Sequence, residues 1–396
     1  MFLLLAKVPG TSSRANFGMS YQVDITIVGA GVIGLAIASQ VASEGRAVYV
    51  LEKNQTFGQE ASSRNSEVIH SGVYYPKDSL KARTCVEGNA LLYELCQRHG
   101  IGHRKIGKLI VATDDAEVNE LEKLWERGRS NGIKGLRLLN QQELTDLEPN
   151  VRGIAAIFSP STGIIDSWGL MGHFAGKARD NGAHLAYRTE VTGIDRIPGG
   201  YKVSVQDPAG HFSFTTEVLI NCAGLHSDEV AGMVGIDIAR AGYRLHYCRG
   251  EYFSVSPGKS NLVTRLIYPV PKAGEVGLGI HVNFDLAGRM RLGPDARYVD
   301  RIDYKVDDSQ KRAFYDSVAR FLPFIEYDDL EPEMVGIRAK LRAEGEDFRD
   351  FVITHECDRG LPQLINLIGI ESPGLTSAPA IAKYVGRLVE EVLNNH

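Results

Sequence analysis

A polar stretch of the chain, SSRNSEVIHSGVYYPKDS at residues 62–79, combines hydroxyl, amide, guanidinium and imidazole groups. Its apolar residues repeat neither at every second position, as in a half-buried strand, nor with the 3.6-residue period of a helix. The stretch is therefore predicted to be a loop. Short hydroxyl and amide groups with a guanidinium suit phosphate binding, but most loops of this polarity are simply solvated. The neighbouring elements must distinguish the two interpretations.

The segment before this loop has the pattern of a dinucleotide-binding unit. DITIV (24–28) is predicted as a buried strand, GAGVIG (29–34) as a turn, and the Ala-rich segment after it as a helix running to Gly45. A second strand, AVYVLE, ends at Glu52, 21 residues after Gly31. In such units the glycines let the backbone approach a pyrophosphate at the helix N-terminus, and the acid binds a ribose.

We assign dinucleotide binding to this unit, because a glycine-rich turn alone leaves the order strand, helix, strand and acid unexplained. FAD is favoured over NAD, because the chain leaves the nucleotide fold through the polar loop instead of continuing with further βα units. The residues predicted to bind the cofactor here are Gly29, Ala30, Gly31, Val32, Ile33, Gly34, Glu52 and Lys53.

Two later segments support FAD. A meander predicted over HLAYRTEVTGIDRI, YKVSVQD and HFSFTTEVLINCAG closes on Ala223 and Gly224, where backbone can lie against a cofactor. LINLIGIESPGLTSAPAIAKYVGRLVEEVL is predicted as strand, turn and helix. The helix N-terminus near Thr376 and Ser377 would stabilise negative charge on a reduced flavin ring. For this last segment alone, an ordinary capped helix is the alternative.

Size and composition limit the class of protein. A chain of 396 residues exceeds the usual single-core size, so two closely packed domains are expected. With 43% hydrophobic residues, 23% charged residues and a net charge of −5, it has no basic footprint for nucleic acid. Five scattered cysteines without a CxxC pair favour a reducing compartment and predict neither a metal site nor a disulfide framework.

Residues 1–18 are predicted to be an extension outside the fold. Their apolar run is too short for a normal secretory segment, and no basic residue precedes it. They contain Ser and Arg but no acidic residue, so an organelle-targeting segment is the alternative to a cytoplasmic protein. No more than peripheral contact with a membrane is expected.

The chain resembles the FAD-dependent L-2-hydroxyglutarate dehydrogenases or oxidases, within the D-amino-acid oxidase and glycerol-3-phosphate dehydrogenase superfamily. The motifs run in order from about residue 22 to 392: GAGVIGLAIA, SSRNSEVIHSGVYYP, RGEYF, GLGIHVNFD, LGPDA, GIRAKL, FVITHE and IGIESPGLTSAPAIA. The first is common to many flavoproteins, whereas SRNSEVIHSGVYYP and GIRAKL are far more specific. The resemblance implies an α/β fold with an α+β substrate part, in which a Rossmann-like FAD-binding domain is interleaved with an antiparallel-sheet substrate domain.

The resemblance also divides the chain into segments. The FAD-binding domain is expected to comprise residues 19–110, 151–235 and 346–396. The substrate domain is expected to comprise an insertion at 111–150 and residues 236–345. The polar loop would then pass beside the flavin, with Ser63, Arg64, Asn65 and Ser66 at the pyrophosphate and ribityl side and His70, Ser71 and Gly72 near the isoalloxazine. The remaining predicted cofactor residues are Val191, Ala223, Gly224, Glu371, Ser372, Gly374, Leu375 and Thr376.

Candidates for substrate binding lie in the second half. GIRAKL places Arg338 and Lys340 on the same side of an extended segment, either as a solvated basic edge or as a clamp for a carboxylate. The match to the family motif implies that Arg338 binds a substrate carboxylate, with Lys340 beside it. Tyr252 in RGEYF is either an ordinary strand aromatic or a pocket hydroxyl, and its motif position favours the pocket.

Eleven histidines are candidates for a catalytic base. A lone strand histidine is more often structural, but the match of GLGIHVNFD to the family makes His281 the first choice. His70 is the rival, because the polar loop brings it toward the flavin. His226 is a weaker candidate, and the orientations of His246 and His355 are not determined by the sequence. The predicted catalytic residues are His281, His70, Tyr252 and Arg338, and the predicted substrate-binding residues are Arg338, Lys340, Tyr252 and His281.

The implied reaction is oxidation of an L-2-hydroxy acid, most specifically L-2-hydroxyglutarate to 2-oxoglutarate. A base takes the hydroxyl proton while hydride leaves C2 for flavin N5. Oxidation of an amino acid or of glycerol 3-phosphate, and a non-catalytic FAD-binding protein, are the alternatives. The electron acceptor is oxygen or a quinone, and nothing in the spacing requires a covalent flavin.

Overall fold

The computed structural model describes residues 22–271 and 277–394, so the predicted extension at residues 1–18 lies outside the described residues. The strands, in chain order, are β1 (Gln22–Val28), β2 (Val48–Glu52), β3 (Val68–Ile69), β4 (His103–Arg104), β5 (Lys108–Ala112), β6 (Arg137–Asn140), β7 (Ala155–Ser159), β8 (Gly163–Ile165), β9 (His184–Tyr187), β10 (Glu190–Ile197), β11 (Gly200–Asp207), β12 (Gly210–Asn221), β13 (His246–Val255), β14 (Leu266–Pro269), β15 (Val282–Phe284), β16 (Met290–Leu292), β17 (Arg297–Val299), β18 (Leu330–Lys340), β19 (Val352–His355) and β20 (Leu364–Ile368). The helices are α1 (Val32–Val41), α2 (Leu80–His99), α3 (Asp115–Ser130), α4 (Gln141–Leu147), α5 (Ser167–Asp180), α6 (Ser227–Met233), α7 (Ile238–Ala241), α8 (Lys311–Val318) and α9 (Gly374–Asn394).

The first layer is an eight-stranded sheet built around β1. β1 pairs in parallel with β2 and β12, so Ile25 lies between Val48 and Val218. β9 and β20 extend the sheet in parallel, and β10, β11 and β19 add antiparallel pairs. α1 packs against α5 and α9 and is buried along nearly its whole length. Its sequence, VIGLAIASQV, is apolar on all sides, as a core helix requires.

Two predicted elements differ from the structure. α1 ends at Val41 instead of running to Gly45, because Ala42 has extended backbone angles (φ −68°, ψ 132°) and the next residues turn the chain into β2. The segment HLAYRTEVTGIDRI, predicted as one strand, is divided at Arg188, whose φ of 54° lies in the left-handed region. Its first part is β9, which pairs with β2, and its second part is β10, which pairs with β11.

The second layer contains the five-stranded antiparallel sheet around β13 and β18. Their register places Cys248 opposite Arg338 and His246 opposite Lys340. Because side chains alternate along a strand, Tyr252, Arg338 and Lys340 lie on one face of this pair of strands. The predicted shared side of Arg338 and Lys340 is confirmed.

Two smaller sheets complete the described architecture, with strand orders β14-β5-β7-β6 and β3-β8-β4. β7 lies beyond the boundary predicted at residue 150, yet it pairs with β5 and β6. The domain boundaries stay predictions. Within residues 22–271 and 277–394, none of the helices combines the length and the apolar character needed to span a membrane.

The crossing of α2 and α9 is unusually close at Gly88. A Cβ atom at this position would collide with the carbonyl oxygen of Thr376 and would lie 3.0 Å from Ser377 Cα. The absence of a side chain at Gly88 lets the first turn of α9 lie against α2. This contact positions the N-terminus of α9 relative to the polar loop.

Candidate active site

A cavity of about 660 Å³ lies between the C-terminal ends of β1, β2 and β12 and the face of β13 and β18. It brings together predicted residues that are far apart in the chain. The predicted residues that line it are Gly29, Gly31, Val32, Ile33, Glu52, Arg64, Asn65, Ser66, His70, Ala223, Gly224, Tyr252, His281, Arg338, Lys340, Glu371, Ser372, Gly374 and Leu375.

Eight other predicted site residues do not line the cavity: Ala30, Gly34, Lys53, Ser63, Ser71, Gly72, Val191 and Thr376. Val191 belongs to the hydrophobic core, and Lys53 forms an ion pair with Glu60 at 3.0 Å. Ser71 Oγ accepts a hydrogen bond from Ser159 Oγ at 2.9 Å. Their assignment to the cofactor stays a prediction.

The turn after β1 depends on glycine. Gly29 has a φ of 102°, and a Cβ atom there would lie 2.5 Å from the carbonyl oxygen of Cys222. A Cβ atom at Gly34 would collide with the carbonyl oxygen of Gly29, so α1 can begin this close to β1 only with glycine. Glu52, which is 7% exposed, accepts a hydrogen bond from the Ala30 N–H at 2.9 Å. The predicted unit of strand, glycine turn, helix, strand and acid is therefore assembled in three dimensions.

The polar loop forms a wall of the cavity. Ser62 Oγ accepts a hydrogen bond from the N–H of Val32, in the first turn of α1, at 2.9 Å. Asn65 Nδ2 donates to the carbonyl oxygen of Ser62 at 2.8 Å and so stabilises the turn. The Arg64 guanidinium lies 4.3 Å from the centroid of the Tyr304 ring. Its buried Nε has no hydrogen-bond partner in the part of the chain that the structure describes, so it is available to a ligand.

His281, 4% exposed, lies at the other end of the cavity. Its Nδ1 is 2.6 Å from the carbonyl oxygen of Gly279. Since a carbonyl only accepts, Nδ1 carries the proton and Nε2 is the acceptor. The ring stacks on Tyr268 with 3.6 Å between centroids. Burial, with the charges of Lys108 and Arg338, lowers the pKa of His281 to about 3 although the Gly279 hydrogen bond opposes this, so the imidazole is neutral near neutral pH.

His70 ties the polar loop to α9. Its N–H donates to Thr376 Oγ1 at 3.0 Å, and its carbonyl oxygen accepts from Asn89 Nδ2 at 2.9 Å. Its Nε2 is 3.5 Å from Ser372 Oγ, and its buried Nδ1 has no partner among the described residues. Burial, then the charge of Lys108, lowers the pKa of His70 well below its usual value. His70 is therefore a second neutral imidazole at the cavity.

Arg338 and Tyr252 lie on the facing strands. Arg338 donates to the carbonyl oxygen of Asp295 at 2.7 Å and to Cys248 Sγ at 3.3 Å. These contacts use two of the five N–H donors of a guanidinium, and the others can bind a carboxylate. The Tyr252 hydroxyl is 3.0 Å from Ser66 Oγ, and burial raises the pKa of Tyr252, so it stays protonated.

A carboxylate between two ammonium groups also lines the cavity. Glu371 forms ion pairs with Lys81 at 2.9 Å and with Lys340 at 2.8 Å, and the three side chains are 7–10% exposed. Burial alone would raise the pKa of Glu371, but the two lysines outweigh this effect and lower it to about 2. The cluster therefore has one excess positive charge. Lys340, predicted to bind substrate, has Glu371 as its partner in this structure.

Sequence reasoning missed several residues that line the cavity, among them Ser62, Lys81, Tyr74 and Tyr268. Ser62 opens the polar loop, so its hydroxyl beside the glycine turn is a signal that could have found it. Lys81 lies on α2 and Tyr268 on β14, and no local pattern distinguishes either from an ordinary surface lysine or strand aromatic.

Comparison with known proteins defines the class. Residues 24–388 match the model of the FAD dependent oxidoreductase family (DAO). The chain belongs to this family, and its cofactor is FAD. The predicted fold class is confirmed by this match and by a solved structure of the same fold with FAD bound.

Particular relatives narrow the class. The chain is 36% identical to "L-2-hydroxyglutarate dehydrogenase, mitochondrial" of Arabidopsis thaliana, over 96% of this chain and 86% of that protein. It is 30% identical to L-2-hydroxyglutarate dehydrogenase of Escherichia coli (strain K12), over 93% and 94%. The structure of dithionite-reduced L-α-glycerophosphate oxidase from Mycoplasma pneumoniae with FAD bound aligns with a TM-score of 0.83 at 27% identity, over 93% and 95%. The resemblance to the hydroxyglutarate branch is confirmed.

The residues at the cavity fit FAD. The glycine turn leaves the N-terminus of α1 free of side chains that would exclude a pyrophosphate. The unpartnered Arg64 Nε and His70 Nδ1 are buried polar atoms at the cavity wall that a bound ligand can satisfy. Both belong to the polar loop, which contacts the first turn of α1 through Ser62.

We expect Gly31→Val to abolish retention of FAD, because its side chain would occupy the space of the pyrophosphate; already a Cβ atom there lies 3.0 Å from Ser62 Oγ. Flavin absorbance per mole of protein after gel filtration measures this. Gly172→Val is the control, since no atom lies within 4 Å of a Cβ atom at that α5 position, and it should stay yellow. A colourless wild-type protein that binds NAD would contradict the assignment.

Proposed function

We propose that this protein oxidises L-2-hydroxyglutarate to 2-oxoglutarate with bound FAD, which supplies the hydride acceptor. The observation that carries the proposal is a buried neutral imidazole, His281, close to the Arg338 guanidinium in a cavity with excess positive charge. The names of the relatives, which are similar over nearly the whole chain, support the choice of substrate.

For the cofactor, we assign the pyrophosphate to the backbone of residues 29–34 and to the N-terminus of α1. Glu52 would accept hydrogen bonds from the ribose, since it lies at the end of β2 and lines the cavity. The first turn of α9, which begins at Gly374, would lie at the flavin ring and stabilise negative charge there.

Charge selects the substrate. L-2-hydroxyglutarate is a dianion, and both of its carboxylates need positive partners. Arg338 would bind one carboxylate through a bidentate pair, because its planar fork matches carboxylate geometry. The excess charge of the Lys81–Glu371–Lys340 cluster would attract the other. A neutral cavity wall would favour an uncharged alcohol instead.

His281 would accept the hydroxyl proton. Its Nδ1–H is committed to the Gly279 carbonyl, so Nε2 is the acceptor. The low pKa makes the imidazole a weak base in the free protein, but it also keeps the acceptor unprotonated. A bound dianion beside the ring would raise this pKa and increase the basicity at the moment of reaction.

We expect the wild-type flavin to be bleached anaerobically by L-2-hydroxyglutarate more efficiently than by lactate, glycine or glycerol 3-phosphate. Glycerol 3-phosphate is included because of the structural likeness to the glycerophosphate oxidase. Stopped-flow absorbance measures each reduction rate. Admitting air and then a quinone distinguishes the two electron acceptors. Preference for another member of the panel would refute the substrate, and no bleaching at all would favour a non-catalytic flavoprotein.

We expect Arg338→Lys to raise the KM for L-2-hydroxyglutarate by about ten- to a hundredfold, because the charge remains but the bidentate fork is lost, at a cost of about 1.5–3 kcal/mol. FAD content should not change. Arg312→Lys, at an exposed position of α8, is the matched control. An unchanged KM would show that Arg338 does not bind the substrate.

We expect His281→Ala to slow flavin reduction by about 10²- to 10⁴-fold at saturating substrate, with FAD content unchanged. Because the pKa of His281 in the free protein is about 3, protonation of this imidazole should not reduce the wild-type rate at subsaturating substrate between about pH 8 and about pH 5. His211→Ala, at an exposed strand position, is the control. If the flavin of His281→Ala were reduced at the wild-type rate, His281 would not be the base and His70 would be the next candidate.

A further inference from the structure

Lys108 on β5 is a fully buried amine behind the cavity wall. Its side chain is 0% exposed, and its Nζ has no hydrogen-bond partner among the described residues. The Nζ lies 4.4 Å from the ring centroid of Tyr74 and 4.5 Å from that of Tyr268. Burying an amine without a hydrogen bond is costly, and two aromatic faces offset only part of that cost. A leucine or methionine would fill the same space without the penalty.

The two rings connect Lys108 to the reacting end of the cavity. Tyr74 and Tyr268 both line the cavity, and the second face of Tyr268 is occupied by His281, with 3.6 Å between ring centroids. The order is therefore amine, tyrosine ring, imidazole and cavity. Lys108 does not line the cavity. Any effect of Lys108 on the reaction is therefore transmitted by charge and by packing.

We propose that Lys108 is a positioning residue for the oxidation: its protonated amine, behind the Tyr74–Tyr268 wall, attracts the dianionic substrate and holds Tyr268 against His281. This inference rests on the proposed function, because it requires an anionic substrate at the His281 end of the cavity.

The groups that face Lys108 leave it as the one that titrates near neutral pH. They are Cys85 of α2, His70 of the polar loop, Tyr74, Tyr268 and His281. Burial lowers the pKa of Lys108 to about 7, against the opposing effect of Cys85. Burial also lowers the pKa of both imidazoles and raises that of Cys85, Tyr74 and Tyr268, so these groups stay neutral between about pH 6 and about pH 8.

The sign of the pH effect follows from this. Below about pH 7 the amine is protonated and its charge favours a dianion in the cavity; above that pH the charge is lost. A unit charge roughly 10 Å away at an effective dielectric constant of about 20 changes an anion's affinity by about tenfold. Binding of a dicarboxylate should therefore weaken about tenfold between about pH 6 and about pH 8.

The experiment measures binding, not turnover. 2-Oxoglutarate is titrated into the FAD-loaded protein between about pH 6 and about pH 8, and its Kd is read from the shift in flavin absorbance. We expect the wild-type Kd to rise about tenfold across this range, and Lys108→Met to show no such rise and to match the wild type at the higher pH. Lys383→Met, which removes one lysine from the exposed surface of α9, should keep the wild-type profile.

Two results would overturn the proposal: a pH-independent Kd in the wild type, or a wild-type profile in Lys108→Met. If Lys108→Met does not retain FAD, Lys108→Gln, which keeps the length and an N–H donor without the charge, is judged by the same two results. Failure of the proposed function is distinct, because it appears as a wild-type flavin that L-2-hydroxyglutarate does not reduce.

Discussion

The buried carboxylate of Glu371 joins the two halves of the site. Lys81 comes from α2, Lys340 from the end of β18, and Glu371 from the turn before α9, so one acid fixes three elements relative to one another. Removing one partner of a buried ion pair leaves an uncompensated charge and costs about 3–5 kcal/mol. The position of the β13–β18 sheet against the first turn of α9, and hence the shape of the cavity between them, depends on this cluster.

The positive charges at the cavity and its neutral imidazoles belong to different side chains. Two lysines against one carboxylate leave a fixed positive charge, to which Arg338 adds another. Burial and the charge of Lys108 lower the pKa of both His70 and His281, so these imidazoles are neutral near neutral pH. Attraction of an anion and acceptance of a proton would conflict if one group did both, since a protonated imidazole attracts an anion but cannot take a proton. In the proposed mechanism, different side chains would carry the two properties.

The part of the site that local patterns could predict is the dinucleotide unit. The glycines, the strands and Glu52 lie within about thirty residues. Each of these positions requires a particular backbone geometry, and the residue types that allow this geometry can be recognised in the sequence. The end of α1 was wrong, because the Ala-rich sequence continues to favour helix where the path into β2 requires extended backbone at Ala42. Sequence spacing does not show whether the hydroxyl of Ser62 or that of Ser63 faces α1, and in the structure it is Ser62. No sequence pattern identifies Tyr268 and Lys108 as site residues, because they come together only through the pairing of β5 with β14.

The different partners of Arg338 and Lys340 could not be predicted from the sequence pattern. Alternation along β18 correctly places both on one face, and that pattern alone does not distinguish one from the other as a clamp. Their partners make the two residues different. Lys340 is neutralised in part by Glu371, whereas Arg338 donates to a carbonyl oxygen and a thiol, so it keeps its charge and most of its donors. In the proposed function, recognition of a dicarboxylate would rest on Arg338 as a directional clamp and on the diffuse positive field of the lysine cluster. Such a site would fix the end of the substrate bound by Arg338 and would select the distal carboxylate by charge instead of by geometry.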